Sequence, residues 1–200
     1  MASKELPDLT VADAQQWREW LAAHHETSAG VWLVLAKKGV TEPTRLTYDP
    51  ALDEALCQGW IDGQVRRRDE HTYYLRFTPR RTRSLWSARN VANVSRLSDE
   101  GRMQPAGRSQ VEQAQADGRW AAAYSGQATI EVPADLDAAL AAAPRGRAMF
   151  DILTRQNRYA VLFRIENAKR PQTRTRLIEQ FVAMLDRGDT PYPQKRTLDG

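Results

Sequence analysis

Residues 60–79, WIDGQVRRRDEHTYYLRFTP, decide the fold. Two segments of alternating character flank Arg68-Asp69-Glu70-His71, the pattern of a β-hairpin. In the second segment Tyr73, Leu75 and Phe77 point one way while Tyr74, Arg76 and Thr78 point the other. In the first, Ile61 and Val65 oppose Trp60, Asp62 and Gln64. Burial selects the register. Pairing Val65 with Leu75 and Gly63 with Phe77 gathers the apolar set on one face, whereas a slip of one residue sets Phe77 beside Asp62. In the expected register Asp62 lies opposite Thr78, Gln64 opposite Arg76 and Arg66 opposite Tyr74, forming a polar row. The turn falls near Asp69 to His71. Gly63 is then interior to a strand, where glycine marks a bulge or a close approach.

Upstream, Thr10 with Asp13 reads as a capping box opening a helix that buries Trp17 and Leu21, with Trp20 beside them, and ends before Ser28-Ala29-Gly30. The run GVWLVLAKK from Gly30 to Lys38 is unbroken in its apolar character, as a strand buried on both faces should be. Asp49-Pro50 signals a short helix from Pro50 to Gln58 that turns Leu52, Ala55 and Leu56 inward, with Gly59 as its stop. Asp53 and Glu54 read as surface residues of that helix, and Cys57 as a packing residue at its end.

Downstream, Ser87 is a good N-cap for a helix carrying Val91, Val94 and Leu97, closed by Gly101. Pro105 opens another helix, and Asp117 to Trp120 a short one. Residues 125–133 read as a loop separating two halves. Helices alone are expected beyond it, over Ala134 to Ala142, Arg145 to Gln156, Arg158 to Ala168 and Pro171 to Arg187. The fold class is therefore α+β: a small, mainly antiparallel sheet packed by helices in residues 1–124, an all-helical C-terminal module in 133–188, and a flexible tail from 189 to 200.

Composition narrows the function classes. No apolar run approaches the roughly 20 residues that span a bilayer, and MASKELPDLT lacks the apolar centre of a signal peptide, so a cytoplasmic protein without a membrane partner is expected. One cysteine forms no internal disulfide. Cys57 with His24, His25 and His71 supplies no recognisable zinc spacing, so neither a metal nor a cofactor is expected. Charge is uneven beneath a formal net of +4. Residues 1–58 hold five Lys/Arg against nine Asp/Glu, residues 64–90 hold eight against two, and residues 145–176 hold nine against two. The two basic stretches form a candidate anion-attracting surface. Cys57 has no base at an informative spacing, and His71, in the turn, is distant from Asp62, so neither pair reads as catalytic.

Several blocks in order, ALCQGWIDGQ, FTPRRTRSLWS, GRMQPAG, DGRW and NAKRPQTRTRLIEQFVAML, resemble the bacterial YdeI/OmpD-associated, or bacteriocin-protection, proteins. The resemblance implies an α+β protein with an OmdA-like helical C-terminal module and a link to stress or bacteriocin resistance. It implies no reaction. Gln58 stands where many members carry an aromatic.

Three function classes fit these residues. In the first, Trp60, Asp62, Gln64, Arg76, Thr78, Arg80 and Trp86 line one concave site for a small anionic ligand or nucleotide, with guanidinium forks for the anion and an indole face for stacking. The second is nucleic-acid binding through Arg155, Arg158, Arg164, Lys169, Arg170, Arg174 and Arg176 of the C-terminal helices. The third is an enzyme of unknown type using Asp62 with neighbouring arginines. The ligand-binding class is the primary expectation, and no oligomeric state follows from the sequence.

Overall fold

The structure, a computed structural model, describes residues 6–127 and 129–198. Among them are eight helices and four strands in two compact units, Met1–Ala123 and Tyr124–Gly200. The first unit contains β1 (Asp8–Leu9), α1 (Ala14–His24), β2 (Val31–Ala36), α2 (Tyr48–Cys57), β3 (Trp60–Arg67), β4 (Thr72–Pro79), α3 (Ala88–Asp99) and α4 (Pro105–Ala116). The strands form one sheet in the order β1-β2-β4-β3. The two hairpin strands pair antiparallel, as does β4 with β2, while the two-residue β1 runs parallel to β2. The protein is thus α+β with a mixed sheet. The sequence reading missed β1, which is too short to carry a periodic signal.

One face of the sheet carries Val31, Leu33, Leu35, Leu75 and Phe77. These pack with Trp17 and Leu21 of α1, Leu52, Ala55 and Leu56 of α2, and Val94 and Leu97 of α3 in a single core. Five of the six β2 residues are buried, as their unbroken apolar run requires. The hairpin turn lies where the alternation predicts. Asp69 Oδ1 accepts from the N–H of His71 at 2.8 Å and of Thr72 at 2.6 Å, while the Thr72 hydroxyl donates to Oδ2 at 2.8 Å.

Helix starts follow their caps closely. Ser87 accepts from Asn90 N at 3.1 Å, and Pro105 occupies the first turn of α4. At α1 the cap is Asp13, which accepts from Gln15 and Gln16 at 3.0 and 3.1 Å; Thr10 lies outside the helix. At α2 the helix begins at Tyr48, before the predicted Asp49-Pro50 start, leaving Asp49 in the first turn. Gly59, at φ +73, ends that helix as expected. The predicted short helix at Asp117 to Trp120 is a turn.

In the second unit, α5 (Ala134–Ala141), α6 (Pro144–Asp151), α7 (Arg155–Glu166) and α8 (Pro171–Asp186) bury Leu136, Leu140, Phe150, Val161, Ile165 and Leu185 in a core of their own. The predicted helix over 145–156 stops at Asp151, because the Thr154 hydroxyl accepts from Asn157 N and starts α7 there. Residues 125–133 carry no helix or strand among those described, Ala128 lying outside them. Residues 189–198 also form no regular element, with 199 and 200 outside the described range. The segment is nonetheless tied to α7: the buried Asn157 accepts from Tyr192 N at 2.8 Å and donates to Tyr192 O and Gln194 Oε1 at 2.9 Å each. Among the described residues no helix is long and apolar enough to cross a membrane.

Two expectations test this packing. A Cβ on Gly107 would stand 2.2 Å from the Cys57 carbonyl oxygen, so α4 docks on the end of α2 only because residue 107 has no side chain. Alanine is the better helix former by about 1 kcal/mol, yet Gly107→Ala is expected to lower unfolding stability by about 3 kcal/mol through overpacking, read by urea denaturation. Asp69, held down to about 2 by the Thr72 hydroxyl, the Thr72 and His71 N–H groups and Arg68, contributes stability that is complete above its unfolded value near 4. That contribution is lost as pH falls through about 2. The stability difference between wild type and Asp69→Asn should therefore shrink over that interval in acid titrations.

Candidate functional site

The seven residues expected to share one site do not. Asp62 pairs with Phe77, not Thr78, because a bulge between Asp62 and Val65 takes up one residue of β3 while Val65 still meets Leu75. Directly opposed residues of an antiparallel pair project from the same face. Asp62 therefore leaves with Phe77 on the helix-packed face, where the Tyr48 hydroxyl donates to its Oδ2 at 3.0 Å. Arg76, opposite Trp32, leaves from the other face. Gln64 is exposed within the bulge, and Thr78 sits opposite Ile61.

Trp60 is core, its Nε1 donating to His25 O at 3.3 Å and its ring edge-on to Trp17 and Trp20. Arg80 and Trp86 do come together: the guanidinium carbon lies 3.7 Å from the indole centroid, and Arg80 Nη1 donates to Leu85 O at 2.9 Å. Both are buried, and Trp86 packs edge-on to Trp120 at 4.9 Å. The pair staples the chain after β4 to the core and presents no open indole face.

A different set of residues forms a cleft. Arg18 and Ala22 are one turn apart on α1, and Glu54, Cys57 and Gln58 follow at i, i+3 and i+4 along the end of α2. Arg102 and Gln104 of the α3–α4 connection complete a hollow of about 370 Å3. Glu54 organises it. Read from sequence as a surface residue, it is 4 % exposed. Arg18 donates from Nε to Oε2 at 2.8 Å and from Nη2 to Oε1 at 2.7 Å, and Arg102 Nη2 donates to Oε1 at 2.7 Å. Behind that wall Arg102 also meets Glu100 at 3.0 Å, while Arg96 grips both Asp53 oxygens at 2.7 Å. The lining itself carries two guanidinium groups against one carboxylate.

This geometry suits binding rather than nucleophilic chemistry at the thiol. Burial pushes the Cys57 thiol up to about 11, the Glu54 charge adds to the rise and Arg102 opposes it. Among the described residues no three His, Cys, Asp or Glu side chains converge as metal ligands would. The second unit has a larger hollow, about 640 Å3, lined by Glu131 and Glu166 as well as Arg174. There the Arg174 fork closes on Asp135 at 2.6 and 2.8 Å, so the lining favours no anion. With its thiol pushed up, Cys57 is largely protonated at pH 8. Alkylation by iodoacetamide is expected to run roughly a hundredfold slower in the folded protein than in urea; equal rates would contradict the shielded thiol.

Residues 9–110, just over half of the chain, match the family model described as Domain of unknown function (DUF8412). Residues 129–188 match the one described as Bacteriocin-protection, YdeI or OmpD-Associated. The resemblance read from the sequence thus holds over the helical C-terminal unit, whereas the cleft lies in the other match. Searches of curated proteins and of solved structures give no match. The chain belongs to the DUF8412 family, and the segment after it is similar over residues 129–188 to the Bacteriocin-protection, YdeI or OmpD-Associated model.

Proposed function

We propose that the N-terminal unit binds a small anionic ligand, a carboxylate or a phosphate ester, in the cleft between Arg18, Glu54 and Arg102. One observation carries this reading: a single buried carboxylate pre-orients two guanidinium groups at the edge of a hollow. Arg18 spends Nε and Nη2 on Glu54, and its Nη1 has no hydrogen-bond partner among the described residues. The side chain is 58 % exposed, so that free edge reaches solvent. A guanidinium already fixed along one edge loses little side-chain freedom when a ligand takes the other, which favours affinity. The volume lies at the small end of ligand pockets and suits a metabolite rather than a dinucleotide. Given the C-terminal match to a bacteriocin-protection module, we assign this binding step to a stress-protection role.

A thermal-shift panel of inorganic phosphate, citrate and AMP, followed by calorimetry on any hit, tests the assignment. At least one should raise the unfolding midpoint saturably, by mass action on the folded state. Arg18→Ala should weaken that binding at least tenfold, while Arg83→Ala, at an exposed position outside the lining, leaves it unchanged. No stabilisation by any of the three, or equal affinity in Arg18→Ala, removes the cleft as an anion site.

A further inference from the structure

The sheet face opposite the helical core is built differently from the cleft. Trp32 of β2 stands opposite Arg76 of β4, and Tyr74 of β4 opposite Arg66 of β3. Arg66 reaches across the face: its guanidinium carbon lies 4.3 Å from the Tyr74 ring centroid and 4.7 Å from that of Trp32, and its Nη2 donates to Asp8 of β1 at 2.8 Å. It therefore runs from one edge strand to the other, stacked on both rings. Arg68 extends the row, 5.8 Å from the Tyr74 centroid.

Arg76 completes the surface and is the unusual member. It is half-buried, its Nε is closed off from solvent with no hydrogen-bond partner, and it has no ion-pair partner among the described residues. Beside it, Gly63 leaves room: a Cβ there would already touch Arg76 Nε at 3.4 Å. A partly desolvated cation without an acid partner is costly, and an anion at its outer N–H groups would offset that cost. Three guanidinium groups, with Arg66 paired to Asp8, Arg68 to Asp69 and Arg76 to no acid among the described residues, share this face with two aromatic rings and match the chemistry of single-stranded nucleic acid. Such strands lay phosphates on cations and stack bases on rings or on guanidinium planes.

We propose that this face binds single-stranded nucleic acid, with a phosphate at Arg76 and a base against the exposed plane of the Arg66 guanidinium, which Trp32 and Tyr74 support from beneath. The site shares no residue with the Arg18 cleft or with the basic C-terminal helices. Neither needs to function for this one to do so.

Fluorescence anisotropy with a labelled oligouridylate of ~12 nucleotides, titrated over a series of salt concentrations, tests it. Wild type should bind at low salt and weaken as salt rises. Arg76→Ala should bind about tenfold more weakly, with a salt slope shallower by about one. Arg76→Lys should keep the slope, and the double variant Arg155→Ala/Arg158→Ala on α7 should leave affinity unchanged. Circular dichroism verifies that each variant is folded; should Arg76→Ala not fold, the Arg76→Lys slope and the α7 variant still decide. Four results would overturn the proposal: no binding by wild type at low salt, unchanged affinity and slope in folded Arg76→Ala, loss confined to the α7 variant, or displacement of the strand by polyglutamate or by UMP at equal charge concentration.

Discussion

Glu54 is the constraint on which the N-terminal unit depends. A carboxylate at 4 % exposure has left most of its water behind, at a cost of several kcal/mol that only well-placed donors offset. Arg18 supplies a two-pronged contact from α1, and Arg102 a third from the α3–α4 connection. Three segments far apart in sequence are therefore fixed by one side chain. Movement of α1 would strip Glu54 Oε2 of its donor and leave Oε1 to Arg102 alone. The next turn of α2 follows from this. The Cys57 carbonyl, a helix-end acceptor, takes the Gln104 N–H at 3.0 Å, and Gly107 allows α4 to close against it. The cleft is the gap left between residues held for that reason, which is why each of its guanidinium groups is already hydrogen-bonded to Glu54 before any ligand arrives.

The parts of this architecture that were legible in the sequence are those with local causes. The hairpin turn is set by Asp69 and its next three residues, the start of α3 by Ser87, and the end of α2 by Gly59. The two strands on either side of the turn follow from alternation. The register of the residues before Val65 does not. Alternation alone cannot count an extra residue. The bulge is decided by β2, whose Val31 pairs with Phe77, and by Tyr48, which gives Asp62 a partner on the helix side. An acid opposite a phenylalanine is unfavourable in an isolated hairpin; beside the Tyr48 hydroxyl it is satisfied.

The candidate cleft was hidden for a related reason. Glu54 lies 36 residues from Arg18 and 48 from Arg102, so no local pattern joins them. The available signal was the spacing of Glu54, Cys57 and Gln58 on one helical face, with a small, buried-type residue among polar ones. That spacing implies that the face carrying Cys57 turns inward, and hence that Glu54 is less exposed than a helix-surface acid. Gln58 also has a physical reading here: at this position it lines the cleft, where an aromatic ring would fill part of it.

Formal charge along the chain overstated the basic surface for the same three-dimensional reason. Much of the basic middle stretch is engaged within the fold: Arg66 by Asp8, Arg68 by Asp69, Arg89 by Asp49, and Arg80 by a backbone carbonyl and an indole face. An arginine matched to an acid carries little net field to solvent, whatever the local count. Availability of a guanidinium therefore depends on pairing rather than on abundance. Arg18 is paired along one edge only and meets solvent along the other, whereas Arg76 is not paired at all among the described residues and is partly withdrawn from water, where an arriving anion interacts most strongly. The two lie on opposite sides of the sheet's helical core, so an anion bound by one leaves the other unoccupied.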